Sequence, residues 1–274
     1  MQLTNVENNA RYAFELPIQR LVPGVSAMLR AKNEAANVPV VLPEILGLFD
    51  EVVFIDNAST DATVAEVARI AVEHEHGDRI KIVSYPFSIA RCGDEHWATP
   101  EDSVHNLAYY YNWCLSQCSF DYVFKWDLDM VPIPGQSGAL SEAFSKIDHQ
   151  AAELWSVRCQ TIYKSPQGDW YAANDEVNKE PRLHPNSANV RYRKARMWEA
   201  LQPDIELVDR ELLTPCIYEL KDTSVDEFDH WTDTTDLSPR KQTEYANYCA
   251  VRDGRADPAA FTLLPSTDLP SSLR

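Results

Sequence analysis

The sequence predicts an α/β protein built on a parallel sheet. Short apolar runs alternate with stretches of helical spacing, which is the signature of strand, helix and strand units. The runs also break abruptly into polar loops at their C-terminal ends, where open α/β sheets hold ligands. One of them, Tyr122 to Trp126, ends in two carboxylates, Asp127 and Asp129, separated by one leucine.

In chain order, residues 1 to 22 read as an N-terminal arm. Val25 to Leu29 is a first strand, ending in Arg30-Ala-Lys32-Asn33-Glu34. Residues 35 to 48 place Val38, Val41, Leu42, Ile45 and Leu46 at helical spacing, and Glu51 to Ile55 is a second buried strand. That strand ends in Asp56-Asn57-Ala-Ser59-Thr60-Asp61-Ala-Thr63. An amphipathic helix over 64 to 75 follows, with Ser59, Thr60 or Asp61 as its N-cap. Ile80 to Ser84 is a third strand, and this order implies parallel strands with right-handed crossovers. Residues 85 to 103 form a long loop. The helix 105 to 118 starts at an Asp102-Ser103 cap and carries Tyr109, Tyr110 and Trp113 towards the core. After the Asp127-Leu-Asp129 strand come a helix over 140 to 147, an apolar stretch over 154 to 163, and a loop over 168 to 178 rich in Asp, Asn and Trp. A strand near Ile217 and a helix over 239 to 248 follow, and the Asp, Pro and Ser content of residues 255 to 274 predicts a loosely held tail.

The 274 residues suffice for one substantial core. The formal charge of −17 disfavours nucleic acid and anionic membrane surfaces as partners, because both would repel it. Glu7, Arg11 and Glu15 interrupt the start of the chain, so no secretory or transmembrane segment is expected there, and the cytoplasm is the expected compartment. Six cysteines without a CxxC pair argue against zinc and against a disulfide framework.

At strand spacing, Asp127 and Asp129 point the same way and suit one hard divalent cation with water and phosphate oxygens completing its shell. The same pattern also describes a strand fading into a turn before Pro132 and Pro134. Arg182 and the basic residues of Val190 to Arg196 stand close together in an otherwise acidic chain. They suit either a departing diphosphate or a solvated basic face.

Lys32-Asn33-Glu34, the Asp56-Asn57-x-Ser59-Thr60-Asp61-x-Thr63 run, Asn112 fifteen residues before Asp127, and Asp127-x-Asp129 together resemble family 2 glycosyltransferases with the GT-A fold. The resemblance covers roughly residues 24 to 131. It implies a Rossmann-like nucleotide-sugar-binding half over 23 to 135, an acceptor-side, catalytic half of the same domain over 136 to 254, and an inverting transfer from a UDP- or GDP-sugar. It further implies nucleoside contacts from Glu34 and Asp56, a loop formed by Asn57 and Asp61, and a donor contact from Asn112. Mn2+ or Mg2+ would be held by Asp129, with Asp127 reaching ribose, water or the metal. Where this family often carries Arg two residues before the Asn, Tyr110 stands here, which removes one guanidinium.

In the second half, Arg182-Leu183, Trp198-Glu199 and Phe228-Asp229-His230 occupy the places of the family's later motifs. Glu199 is the expected base, which takes the proton of the acceptor hydroxyl. His230 is a third metal ligand or a diphosphate donor, with His184 as its alternative, and Arg182, Arg240 and Lys241 are phosphate contacts. The expected acceptor is a saccharide or a lipid-linked hydroxyl met peripherally, as in bacterial surface polysaccharide or lipopolysaccharide assembly. Two rivals remain in sequence terms. A sugar nucleotidyltransferase would need a Gly-rich loop after the first strand, which the eight glycines do not form. A carbohydrate- or nucleotide-binding protein would keep the fold without the chemistry.

Overall fold

A computed structural model of the chain describes residues 1–224 and 238–274, apart from the side chain of Asp175. The chain forms two compact units. The first comprises Met1–Leu128, Ser141–Ser156 and Pro181–Glu211, and the second Asp129–Leu140, Val157–Glu180 and Leu212–Arg274.

The first unit opens with a small hairpin, β1 (Gln2–Leu3) and β2 (Phe14–Glu15). The expected arm is therefore part of the core: Tyr12, Phe14 and Leu16 are buried, and Tyr12 meets the rings of Tyr85 and Phe87 edge-on at 5.5 and 4.7 Å. Then follow β3 (Val22–Ala31), α1 (Val38–Ile45), β4 (Glu51–Asp56), α2 (Thr63–Glu73) and β5 (Ile80–Ser84). Next come α3 (Asp94–Ala98), α4 (Leu107–Ser116) and β6 (Phe120–Trp126). The order in the sheet is β5, β4, β3, β6, all parallel. Val25 to Leu29 are buried without alternation, as a strand covered on both faces requires. Helix α1 buries Val38, Val41, Leu42 and Ile45, the predicted stripe.

Two helix starts differ from expectation. Helix α4 is capped by Asn106, whose side chain accepts from Ala108 N at 2.9 Å. Ser103 instead donates to Glu7 Oε1 at 2.5 Å. Helix α2 begins after Ala62, with Asp61 Oδ1 accepting from Thr63 N at 3.0 Å.

The second unit contains β7 (Met130–Pro132), most of β8 (Glu153–Lys164), the first part of β9 (Trp170–Pro185) and the latter part of β12 (Val208–Asp222). It also holds helix α6 (Pro239–Arg252) and β13 (Phe261–Leu263), whereas α5 (Ser137–Ser145) is shared between the units. Strands β12 and β7 pair antiparallel, as do β13 and β9. Residues 168 to 178 are thus mostly strand, not loop. Two of their polar side chains are interior ones: Glu176 accepts from Tyr163 Oη and Asn247 Nδ2, both at 2.7 Å, and Asn178 donates to Thr161 Oγ1. The chain beyond residue 255 is likewise ordered. Phe261 packs with Tyr163, Ala173, Tyr248 and Val251, and Leu269 is buried.

Back in the first unit, the end of β9 pairs antiparallel with β6, setting His184 opposite Val123 and Leu183 opposite Phe124. Strands β10 (Val190–Lys194) and β11 (Glu199–Pro203) form a hairpin with Lys194 opposite Glu199. All six cysteines are free thiols. No helix among the described residues is long and apolar enough to cross a membrane.

Candidate active site

The loops after β3 and β4 are sewn together by the motif that marked them in the sequence. Ser59 Oγ accepts from Asn33 N at 2.9 Å, Thr63 Oγ1 from Glu34 N at 2.7 Å, and Asp61 Oδ2 from Ala35 N at 3.2 Å. In return, Asn33 Oδ1 accepts from Thr60 N at 2.8 Å. Three successive amides of one loop are thus bound by hydroxyls and a carboxylate of the other, which fixes the mouth above both strands. Asn33 and Ala58 adopt left-handed backbone, φ 58° and 54°; asparagine tolerates this, and Ala58 holds strain of about 1 kcal/mol. Asp56 is buried and accepts from Ser59 N at 3.1 Å. Burial, with Asp61 and Asp127 adding to it, pushes the Glu34 carboxyl above its ordinary value against a hydrogen bond from Asn37.

Beside this mouth stands a charged cluster. Register alone brings its first members together, since Met28 pairs with Lys125 and Leu29 with Trp126, so the next residues along the two strands are Arg30 and Asp127. Arg30 Nη2 donates to Asp127 Oδ1. Arg182, buried on β9, donates from Nη1 to Asp127 Oδ2 at 2.6 Å and to the Lys125 carbonyl at 3.3 Å. Burial works against the charge of Asp127, but Lys125, Arg30 and Arg182 outweigh it and hold the carboxyl well below the usual range. Tyr111 lies beneath two of these cations, with the Arg30 guanidinium 3.9 Å and the Lys125 ammonium 5.5 Å from its ring centroid. Glu199, at the start of β11, completes the group with Oε1 3.9 Å from Lys125 Nζ. Three cations thus face two carboxylates, which leaves the cluster with a formal excess of positive charge.

Asn112, from which a donor contact is expected, is bonded to the backbone of β10. Its Nδ2 donates to the Tyr192 carbonyl at 2.8 Å and its Oδ1 accepts from Tyr192 N at 2.9 Å. It ties α4 to β10, and through that hairpin positions Glu199. Asn57 is similarly spent on backbone, donating to the carbonyls of Tyr85 and Phe87 at 3.0 and 2.7 Å. Asp127, expected to reach ribose, water or the metal, is here the partner of two arginines. His184 sits behind the cluster, its Nδ1 on the Pro185 carbonyl at 3.1 Å. Burial, with Lys125 adding, pushes its pKa down to about 4.

In the second unit, Asp129 meets Lys221 Nζ at 3.0 Å, and Lys221 also meets Glu219 at 3.1 Å. Lys241 pairs with Glu244 at 2.6 Å and Arg240 with Glu180 at 3.4 Å, so in the structure both bases have carboxylate partners. His230 lies outside the described residues. Among those described, no group of three or more His, Cys, Asp or Glu side chains is arranged to hold a metal. Asp129 is a carboxylate about one third exposed, and a cation binding to it would have to displace the Lys221 ammonium. Sequence reasoning overlooked Arg30 and Lys125. The signal available was the Lys125-x-Asp127 alternation, which sets both on one face of β6.

No protein-family model matches the chain, and no curated protein matches it. Among solved structures, it is similar to a mannosyltransferase from Pyrobaculum calidifontis in complex with GDP-Man and Mn2+, at 21% identity over 53% of this chain and 38% of that one, TM-score 0.35. It is also similar to glucosyl-3-phosphoglycerate synthase from Mycobacterium tuberculosis, at 20% identity over 52% of this chain and 44% of that one, TM-score 0.33. The chain thus spans less than half the length of either of these structures.

Proposed function

We propose that this chain is a nucleotide-sugar glycosyltransferase of the GT-A, family 2 type, working with inversion. The observation that carries the reading is the Arg30, Lys125 and Asp127 group at the C-terminal ends of the parallel strands β3 and β6, joined by Arg182 of β9 and with Glu199 of β11 beside it. That is where an open α/β sheet receives a nucleotide, and it is an electrostatic environment suited to a diphosphate.

In this reading the Glu34 and Asp56 carboxylates accept hydrogen bonds from the base and ribose. Asp61, Ser59 and Thr63 hold the mouth open at fixed width. Arg30, Lys125 and Arg182 draw the diphosphate in and take up its charge as it leaves, while Asp127 keeps the two guanidinia aimed. Glu199 removes the proton of the acceptor hydroxyl. That oxygen forms a bond to the anomeric carbon, the bond from that carbon to the diphosphate oxygen breaks, and its electron pair departs with the nucleoside diphosphate. Asp129 is the residue that would hold Mn2+ or Mg2+, with His230 as the further ligand suggested by the sequence, and such an ion would supply positive charge for a diphosphate. The donor is a hexose-type UDP- or GDP-sugar and the acceptor a saccharide or lipid-linked hydroxyl, in surface polysaccharide assembly.

Donor turnover tests the reading. Purified protein given UDP-glucose, UDP-N-acetylglucosamine or GDP-mannose with Mn2+ is expected to release the nucleoside diphosphate from one of them, slowly to water and faster with an acceptor. Absence of turnover with every donor and with mixed glycan acceptors contradicts it.

A further inference from the structure

At the opposite end of β6 the first unit holds a cavity of about 260 Å3. Tyr122 and the strand's last residues are separated by enough rise to put Asp127 about 17 Å away, so a ligand here does not touch the candidate active site. The volume is just below the usual lower limit of small-molecule pockets, about 300 Å3, which suits a monosaccharide and is too small for a nucleotide.

Its polar lining is built, not incidental. Asp121 is buried, accepts from Gly24 N at 3.0 Å, and draws His149 Nδ1 to 2.9 Å from its Oδ2. The His149 ring also stands edge-on to Tyr122 at 5.8 Å. The imidazole is thereby fixed from two sides, and Nε2 is the ring atom left for a ligand. Asn186, 4% exposed, donates from Nδ2 to the carbonyls of Cys118 and Phe120, both at 3.2 Å. Two carbonyl acceptors fix the orientation of that amide. Its Oδ1 is then a buried acceptor with no hydrogen-bond partner, an unfavourable state that an incoming donor would relieve. Arg20, exposed at the rim, makes no ion pair among the described residues, in a chain whose formal charge is −17. Ile18, Pro185 and Ile205 supply an apolar wall.

We infer that this cavity is a second binding site, for a small hydroxylated anion of the sugar-acid or sugar-phosphate class. Arg20 takes the anionic group, His149 Nε2 meets the anion or a neighbouring hydroxyl, Asn186 Oδ1 accepts from a ring hydroxyl, and the apolar wall covers the C–H face of the ring. The site is independent of the transferase reading and stands even if that reading fails.

Calorimetric titration at neutral pH tests it, with glucose 6-phosphate, glucuronate, glucose and inorganic phosphate as probes and no nucleotide or metal added. Glucose 6-phosphate or glucuronate is expected to bind, and the tighter of the two identifies the anion as phosphate or carboxylate. Arg20→Ala should weaken that binding about tenfold or more, and Ile205→Trp, which fills the cavity from a partly exposed position, should abolish it. Failure of both anions to bind overturns the proposal. Glucose binding as tightly as the anions removes the role of Arg20, and phosphate binding as tightly as glucose 6-phosphate removes that of Asn186; either result overturns it. Binding that survives Ile205→Trp places the ligand elsewhere and overturns it too.

Discussion

Arg182 Nη1 lies 2.6 Å from Asp127 Oδ2, joining a buried position of β9 to the carboxylate that follows β6. The contact spans 55 residues of sequence and closes the cluster on the side away from Arg30. Removing one partner from a fully buried pair costs about 3–5 kcal/mol. Because the Asp127 side chain keeps 30% exposure, solvent screening reduces this, and Arg182→Gln is expected to lower stability by roughly 1–3 kcal/mol in urea denaturation. An unchanged midpoint would show that the pair holds nothing together.

Glu199 lies close to Lys125 and has few other commitments. Glu199→Gln is expected to lower kcat by about 10²–10⁴ while donor affinity stays within a few fold and the melting temperature barely moves. A loss confined to KM would make Glu199 a binding residue instead of the base.

For Asn112 the expectation runs the other way. Asn112→Ala leaves two backbone groups of Tyr192 without partners in the interior and should destabilise the protein by about 2–4 kcal/mol. Turnover should fall because the β10–β11 hairpin loosens under Glu199, with nucleotide affinity nearly unchanged. A tenfold loss of nucleotide affinity at full stability would return Asn112 to the donor site.

His184 gives a pH signature. The unfolded chain takes up a proton on this ring near pH 6.5, whereas the folded protein does so only near pH 4. Between those values the unfolded state binds more protons, so stability is complete above pH 6.5 and declines as pH falls through the window, by roughly 3 kcal/mol in all. His184→Gln should flatten that slope, which urea denaturation at a series of pH values would reveal. An equal slope in the variant would mean that other groups carry it.

The parallel half of the fold is legible in the sequence because its strands are continuous apolar runs ending in polar loops, and the Asp56 to Thr63 motif carries its own hydrogen-bonding logic. Trp170 to Glu180 is not, because Asn and Asp are depleted from ordinary strands and Asn247 and Glu219, which meet Glu176 and Asn178, lie far off in sequence. Arg30 remains hidden for a related reason, since only the pairing of β3 with β6 brings a cation at one strand end against a carboxylate at the other. Asn112 appears as a motif residue, yet its task is visible only once β10 lies against α4. The buried Phe261 and Leu269 of the last segment are single apolar residues in a polar stretch, too sparse to form a pattern.

The central claim is that the Arg30, Lys125 and Arg182 cluster receives a nucleoside diphosphate. Thermal unfolding with UDP, GDP, CMP and dTDP, each with and without Mn2+, tests it most directly. A ligand at about a hundred times its Kd stabilises the folded state by about 2.7 kcal/mol. The account predicts that one nucleoside diphosphate raises the midpoint, that Lys125→Ala removes most of the rise, and that Asp129→Ala removes the part that depends on Mn2+. No shift with any nucleotide, with or without metal, would contradict it.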